Sequence, residues 1–201
     1  MCARVEENAA HGRTPYAWIV APARMSDPSG LLRGLLPALL PRLRRFARTL
    51  ARDAQDADDL TQNTLERALR NAAQWRPPAP DAGAEELESA ARRWVFGIMK
   101  NAWIDNRRAH GREREVFTGE EFGAGVGDQA AAALEEGLSL QRALEQLGEE
   151  QRLAVSLVLV EGLSYQEAAE VLAVPIGTLT SRLARARMQL ARLLSPQEEG
   201  S

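Results

Sequence analysis

An all-α fold, in two small helical domains joined by a flexible linker, is what three observations on this sequence predict. Apolar residues recur at steps of three and four along most of the chain, the period of an amphipathic helix, and no stretch alternates in the manner of a strand. Capping residues and prolines punctuate these stretches at helix-length intervals. Residues 115–137 are glycine-rich, acidic and aperiodic, which marks a linker long enough to separate two domains. The expected organisation is a disordered N-terminal extension over 1–28, a first helical domain over 29–114, the linker over 115–137, and a second helical domain over 138–195.

The extension mixes Gly12, Pro15, Pro22 and Pro28 with no helical period. Leu32, Leu36, Leu39, Leu43, Phe46 and Leu50 then follow at helical spacing, interrupted by Pro37 and Pro41. An interior proline costs a helix about 3 kcal/mol, so a short leading helix and a main helix with Pro41 in its first turn are expected. The second helix is predicted from Asp53 to Trp75. Asp53 caps it, and Asp56, Asp58 and Asp59 lie near the positive end of its macrodipole. Its buried stripe is Ala57, Leu60, Thr64, Ala68 and Ala72, with Leu65 and Leu69 alongside, which leaves Asp59, Gln62, Asn63, Glu66 and Arg70 for a partner.

Arg76 to Gly83 is a loop. The third helix, Glu85 to Arg114, has an acidic first turn, a basic end, and Trp94, Val95, Ile98, Met99 and Ala102 as its core face. On it Arg92, Arg93, Lys100, Arg107, Arg108, Arg112 and Arg114 surround Trp94, Trp103 and Asn101. Interleaved rings and cations suit single-stranded DNA, whose bases stack on rings while its phosphates meet arginines. The alternative makes the tryptophans core residues and the arginines ordinary helix-terminal charges, and for Trp94 the core role is favoured. In the second domain Leu140, Leu144 and Leu147 mark a helix over 138–147, and Leu153, Leu157 and Val160 mark one over 149–160.

Glu161 to Leu194 is the most specific stretch. Ser164 and Glu167 form a capping box at the start of a short helix with Ala168, Ala169 and Leu172 on its apolar side. That helix should end near Ala173 and Val174, because Pro175 disfavours helical geometry before it and is tolerated in the first turn of the next helix. The result is a helix-turn-helix. In the second helix Leu179, Leu183, Ala186, Leu190 and Leu193 form a buried stripe, and Thr178, Arg182, Arg185, Gln189 and Arg192 a polar, basic band beside it. Such a band suits a major groove, where arginines and hydroxyls meet phosphates and base edges. A solvated arginine face on a bundle helix is the competing reading.

Composition narrows the function classes. The net charge of -3 hides segregation, with basic clusters at Arg42 to Arg52, Arg92 to Arg114 and Arg182 to Arg192, and local patches govern nucleic-acid binding. One cysteine, Cys2, allows no internal disulfide, and with only His11 and His110 beside it no zinc-type cluster can form. No nucleophile-base pair, phosphate loop or metal cluster suggests an enzyme, so no cofactor, metal or small-molecule substrate is expected. The opening lacks a signal peptide's apolar region and no stretch approaches the roughly 20 apolar residues of a membrane span, so the protein is expected in the cytoplasm without membrane insertion.

Four blocks carry a resemblance to the extracytoplasmic-function (ECF, group 4) sigma factors of the sigma-70 family. DADDLTQNTLERAL at 56–69 resembles region 2.2, and WVFGIMKNAWIDNRR at 94–108 resembles regions 2.3 and 2.4. LEQLGEEQRLAVSLVLVEGLSYQEAAEVL at 144–172 resembles region 4.1 and the start of 4.2, and VPIGTLTSRLARARMQL at 174–190 resembles the recognition helix. The resemblance implies a factor that binds core RNA polymerase and directs promoter-specific transcription initiation, without catalysis of its own. It implies docking on polymerase through Asp56, Asp59, Leu60 and Gln62, and contact with the opened minus-ten strand through Trp75, Trp94, Lys100, Asn101, Arg107 and Arg108. It further implies reading of the minus-thirty-five element by Thr180, Ser181 and Arg185, with Thr178, Arg182 and Arg187 on phosphates, and control by an anti-sigma partner. The loop around Pro77 to Glu88 is longer than is usual in the family, and Ala184 replaces a bulkier residue. A plain helix-turn-helix repressor would explain only Glu161 to Leu194 and leave the region 2 blocks without a role.

Overall fold

Helix α1 (Pro28–Leu50) starts inside the predicted disordered extension, because Asp27 caps it: its Oδ1 accepts from the Ser29 amide at 3.0 Å and Pro28 takes the first turn. The computed structural model describes residues 27–51, 53–79, 81–110 and 140–194; the rest of the expected extension and the linker at 115–137 lie outside the described residues. α1 is one continuous helix through Pro37 and Pro41, contrary to the expected break. Both prolines face solvent, while Leu31, Leu32, Leu35, Leu36, Leu39, Leu43, Phe46 and Leu50 are buried along one stripe. Full burial of such a side chain is worth about 1.5 to 3 kcal/mol, so the stripe outweighs two prolines.

Helix α2 (Ala54–Arg70) is capped by Asp53, whose Oδ1 accepts from the Asp56 amide at 2.7 Å. It ends short of Trp75: the Asn71 side chain donates to the Arg67 carbonyl at 2.8 Å, and a 3-10 turn (Ala72–Gln74) carries the chain on. Its stripe is narrower than predicted, since Leu69 is exposed. Helix α3 (Ala84–His110) buries Leu87, Ala91, Val95, Phe96, Met99, Ala102 and Trp103, with Trp94 and Ile98 partly buried at the margin. Phe96 meets Phe46 at 4.9 Å between ring centroids, and the Trp103 indole donates to the Leu50 carbonyl at 3.1 Å. Both contacts fasten α3 to α1.

The second domain holds a short helix α4 (140–145), α5 (Glu149–Val155), α6 (Tyr165–Leu172) and α7 (Ile176–Leu194). The single helix expected over 149–160 instead widens into a π-turn (Ser156–Val160), with the Glu161 amide donating five residues back to the Ser156 carbonyl at 3.0 Å. Gly162 follows at φ +69, a left-handed conformation that glycine adopts without strain. The capping box forms as predicted: Ser164 Oγ accepts from the Glu167 amide at 3.2 Å, and Glu167 Oε2 from the Ser164 amide at 2.9 Å. α6 ends on Ala173 in left-handed geometry (φ 55), and Val174 and Pro175 complete the turn into α7.

The domains do not hang apart. α6 packs on α3, the π-turn and α5 pack on α1, and the buried residues of both domains form one continuous cluster. Domains this small bury a modest fraction of their own surface, and mutual packing extends the core of each. No strand occurs among the described residues.

Candidate nucleic-acid interface

The cationic, aromatic face of α3 lines an open groove with the turn after α2: Trp94, Lys100 and Asn101 from α3 meet Gln74, Trp75 and Arg76. Their exposures differ. Trp75 is 1% exposed, so it backs the groove from the core, which corrects its place among the strand contacts that the resemblance implies; Trp94 is half-buried, packs against the core as favoured, and still offers ring surface. Lys100 is half-buried, has no ion pair among the described residues, and burial lowers its pKa. A desolvated ammonium without a counter-charge gains from a phosphate. Asn101 and Arg108 are exposed on the same helix. Arg107 lies 5.3 Å above the Trp103 ring and pairs with Glu149 of α5 at 2.6 Å.

On α2 the proposed polymerase contacts separate. Asp56, Asp59 and Gln62 are exposed, and the side chains of Asp59 and Gln62 bond within the helix, to Gln55 at 3.1 Å and Glu66 at 3.3 Å. Leu60 is 2% exposed and belongs to the core, which corrects its assignment to the docking face. The helical step from Asp59 to Leu60 turns the side chain inward onto the Ala57 stripe.

On α7 the buried stripe of Leu179, Leu183 and Ala186 seats the helix, with Leu190 and Leu193 partly covered, and leaves Thr180, Arg185 and Arg187 exposed. Thr180 Oγ1 donates to the Ile176 carbonyl at 2.9 Å and Ser181 Oγ to the Thr178 carbonyl at 2.9 Å, so each hydroxyl is held by the preceding turn. Arg182 is tied to Glu150 at 2.6 Å, and Gln189 donates to the Gln146 carbonyl at 2.9 Å. Arg185 and Arg187 are thus the more available cations of this face.

Local sequence reading missed the residues that join the domains. Glu167 was legible as a cap, yet its Oε1 also accepts from Ser89 Oγ at 2.8 Å and Arg93 Nη1 at 2.9 Å. Burial alone would raise its carboxyl, but the hydrogen bonds from the Ser164 amide, Ser89 and Arg93 outweigh this and bring it down to about 2. Arg45 grips both oxygens of Glu161, at 2.8 and 3.0 Å. Arg92 is lowered first by burial and then by repulsion from Arg42. The only sequence signal for these pairs was the segregation of charge.

Two family models match the chain, one described as Sigma-70, region 4 over residues 137–190 and one as the Sigma2 domain of PhyR over 36–100. The chain is 36% identical over 166 residues to the ECF RNA polymerase sigma factor EcfG of Rhodopseudomonas palustris (strain TIE-1), covering 81% of this chain and 84% of that one. It is 37% identical over 157 residues to the ECF RNA polymerase sigma factor SigM of Mycobacterium tuberculosis, covering 76% and 71%. Among solved structures it resembles the sigma factor RpoE crystallised with the anti-sigma factor NepR from Bartonella quintana, with TM-score 0.64, 30% identity, and 81% and 95% of the two chains covered. It also resembles CnrH in complex with the cytosolic domain of CnrY, with TM-score 0.58 and 25% identity over 86% and 94%. With both of its domains so matched, the chain belongs to the extracytoplasmic-function RNA polymerase sigma factors.

Proposed function

We propose that this sigma factor docks on core RNA polymerase through Asp56, Asp59 and Gln62 on α2, and holds the opened minus-ten strand in the α3 groove. There Trp94 supplies a stacking face, Lys100, Arg107 and Arg108 meet phosphates, and Asn101 reaches a base edge. Trp75 positions this site from behind. The minus-thirty-five element is read by α7, with Thr180, Ser181 and Arg185 toward bases and Thr178, Arg182 and Arg187 toward phosphates. The chain acts as an initiation factor and not a catalyst, in the cytoplasm; no helix among the described residues is long and apolar enough to cross a membrane. An anti-sigma protein is its expected partner, since the similar sigma factor RpoE is found in complex with the anti-sigma factor NepR.

The observation that carries this reading is the groove itself: a desolvated, unpaired lysine beside an accessible tryptophan on a helix whose other face is core. Purified core polymerase should initiate from a promoter library only when the chain is added, with a shared sequence motif among the transcribed templates. Equal transcription without the chain, or no motif, would refute it.

A further inference from the structure

Gly97 stands in the middle of α3, where glycine is among the poorest helix formers. No packing requirement explains it: a Cβ at this position would meet nothing within 4 Å, so no neighbouring helix needs the space. The space opens into the α3 groove, which Gly97 lines one helical turn from Trp94 on one side and from Lys100 on the other. A glycine inside a helix that serves no internal contact leaves room for something from outside the chain.

The groove has a volume of about 620 Å³, within the roughly 300 to 1,000 Å³ of small-molecule sites. One wall is α3, with Trp94 and Ile98 half-buried around Gly97, and the other is α6, with Val171 and Ala173. An aromatic ring facing small aliphatic side chains across an open floor suits a flat base. Charge is divided along the slot. Glu170 lies at the Arg93 end, with its Oε2 3.9 Å from Arg93 Nε, and Lys100 lies seven residues further along α3, a rise of about 10 Å. Arg76 also lines the slot, where its Nη1 donates to the Ala73 and Trp75 carbonyls at 2.7 and 3.3 Å and so fixes the guanidinium in place. Neither Lys100 nor Arg76 has an ion pair among the described residues, and both suit phosphate oxygens.

Glu170 bears on the kind of base. Its side chain is 54% exposed and its Oε1 accepts from Gln166 at 3.2 Å, which leaves acceptor sites on the carboxylate unused. Guanine offers a carboxylate two adjacent donors, N1–H and the 2-amino group, whereas adenine sets the acceptor N1 beside its 6-amino group. We infer that this slot binds a guanine nucleotide, with the base over Gly97 between Trp94 and Val171, Glu170 on the base edge, and the phosphates toward Lys100 and Arg76. A nucleotide held there touches both domains and excludes a DNA strand from the same groove. Its binding does not require that the groove also take the minus-ten strand.

Isothermal titration of the full chain with GDP, without DNA or polymerase, provides the test. One site per chain is expected, with ADP at least about tenfold weaker, since a hydrogen bond to a charged group is lost. Gly97→Leu should fill the slot and lower GDP affinity at least about tenfold, while its urea midpoint stays the same or rises, because leucine is the better helix former. Lys100→Gln should lower affinity for GDP and leave that for guanosine unchanged, and Glu170→Gln should remove the preference for GDP over ADP. No saturable heat with GDP, equal affinity for ADP in the wild type, or undiminished GDP binding by Gly97→Leu would overturn the proposal. GDP affinity that Lys100→Gln leaves unchanged would overturn it as well, whatever Gly97→Leu does to folding. A chain that binds GDP but does not support transcription by core polymerase would instead overturn the sigma reading and leave the nucleotide site standing.

Discussion

The exposed face of α2 and the groove of α3 belong to one helical domain, yet the structure treats them oppositely. Asp56, Asp59 and Gln62 stand clear, with the side-chain bonds of Asp59 and Gln62 confined to their own helix. Trp94, Lys100 and Asn101 lie in a groove partly walled by α6, whose Glu167 occupies Arg93 and Ser89. In this closed arrangement of the two domains the α2 face is open to solvent on every side, while the α3 groove takes part of its wall from α6 and so depends on how the domains pack.

The largest effect should come from Trp75, which separates core from contact. At 1% exposure Trp75→Ala should cost about 3 to 5 kcal/mol of stability, read from denaturant unfolding, whereas Trp94→Ala should cost less and act mainly on strand opening. Equal losses of stability would show that both rings serve the core alone. Asp59→Arg should leave stability within about 0.5 kcal/mol, as expected of an exposed surface site. The same variant should lose core polymerase in a competition assay, and undiminished affinity would remove α2 from the docking face.

On α7, Arg185→Ala should cost about 1 to 3 kcal/mol and relax preference at one upstream base if it meets a guanine edge. Arg182, already tied to Glu150, should on substitution weaken all promoters alike and flatten the salt dependence. Identical changes in base preference for the two variants in a promoter library would mean that the faces of α7 are mis-sorted. The smallest effect is that of pH. Glu167 titrates at about 2 in the folded chain against an ordinary 4.5, so its contribution to closure is complete above 4.5 and lost as pH falls toward 2. The radius of the free chain should therefore not respond to this group from about pH 8 down to pH 5. In a carboxyl NMR titration, Arg93→Gln should raise the Glu167 midpoint.

The helices were legible where the signal is local. Asp53, Ser164 with Glu167, and Pro175 set boundaries through single hydrogen bonds or a single steric clash, and the structure has all three features. What was not legible depends on contacts distant in sequence. Pro37 and Pro41 do not break α1 because the cost they impose is met by leucines buried against other helices. Leu60 was assigned twice, to the core and to the docking face, and only packing decided between them. The site followed the same rule: the α3 cations were visible as a pattern, but Arg45 with Glu161 spans 116 positions, and no local pattern pairs them.

The packing of the two domains on one another is tested most directly by a distance measured in the free protein. With Cys2 replaced by serine, labels at Arg44→Cys on α1 and Leu159→Cys in the π-turn flank the Arg45–Glu161 clasp without disturbing it, both positions being exposed. A single short distance is expected in the free chain, because the π-turn packs on α1 beside the Arg45–Glu161 pair. A long or broadly distributed distance would contradict that packing.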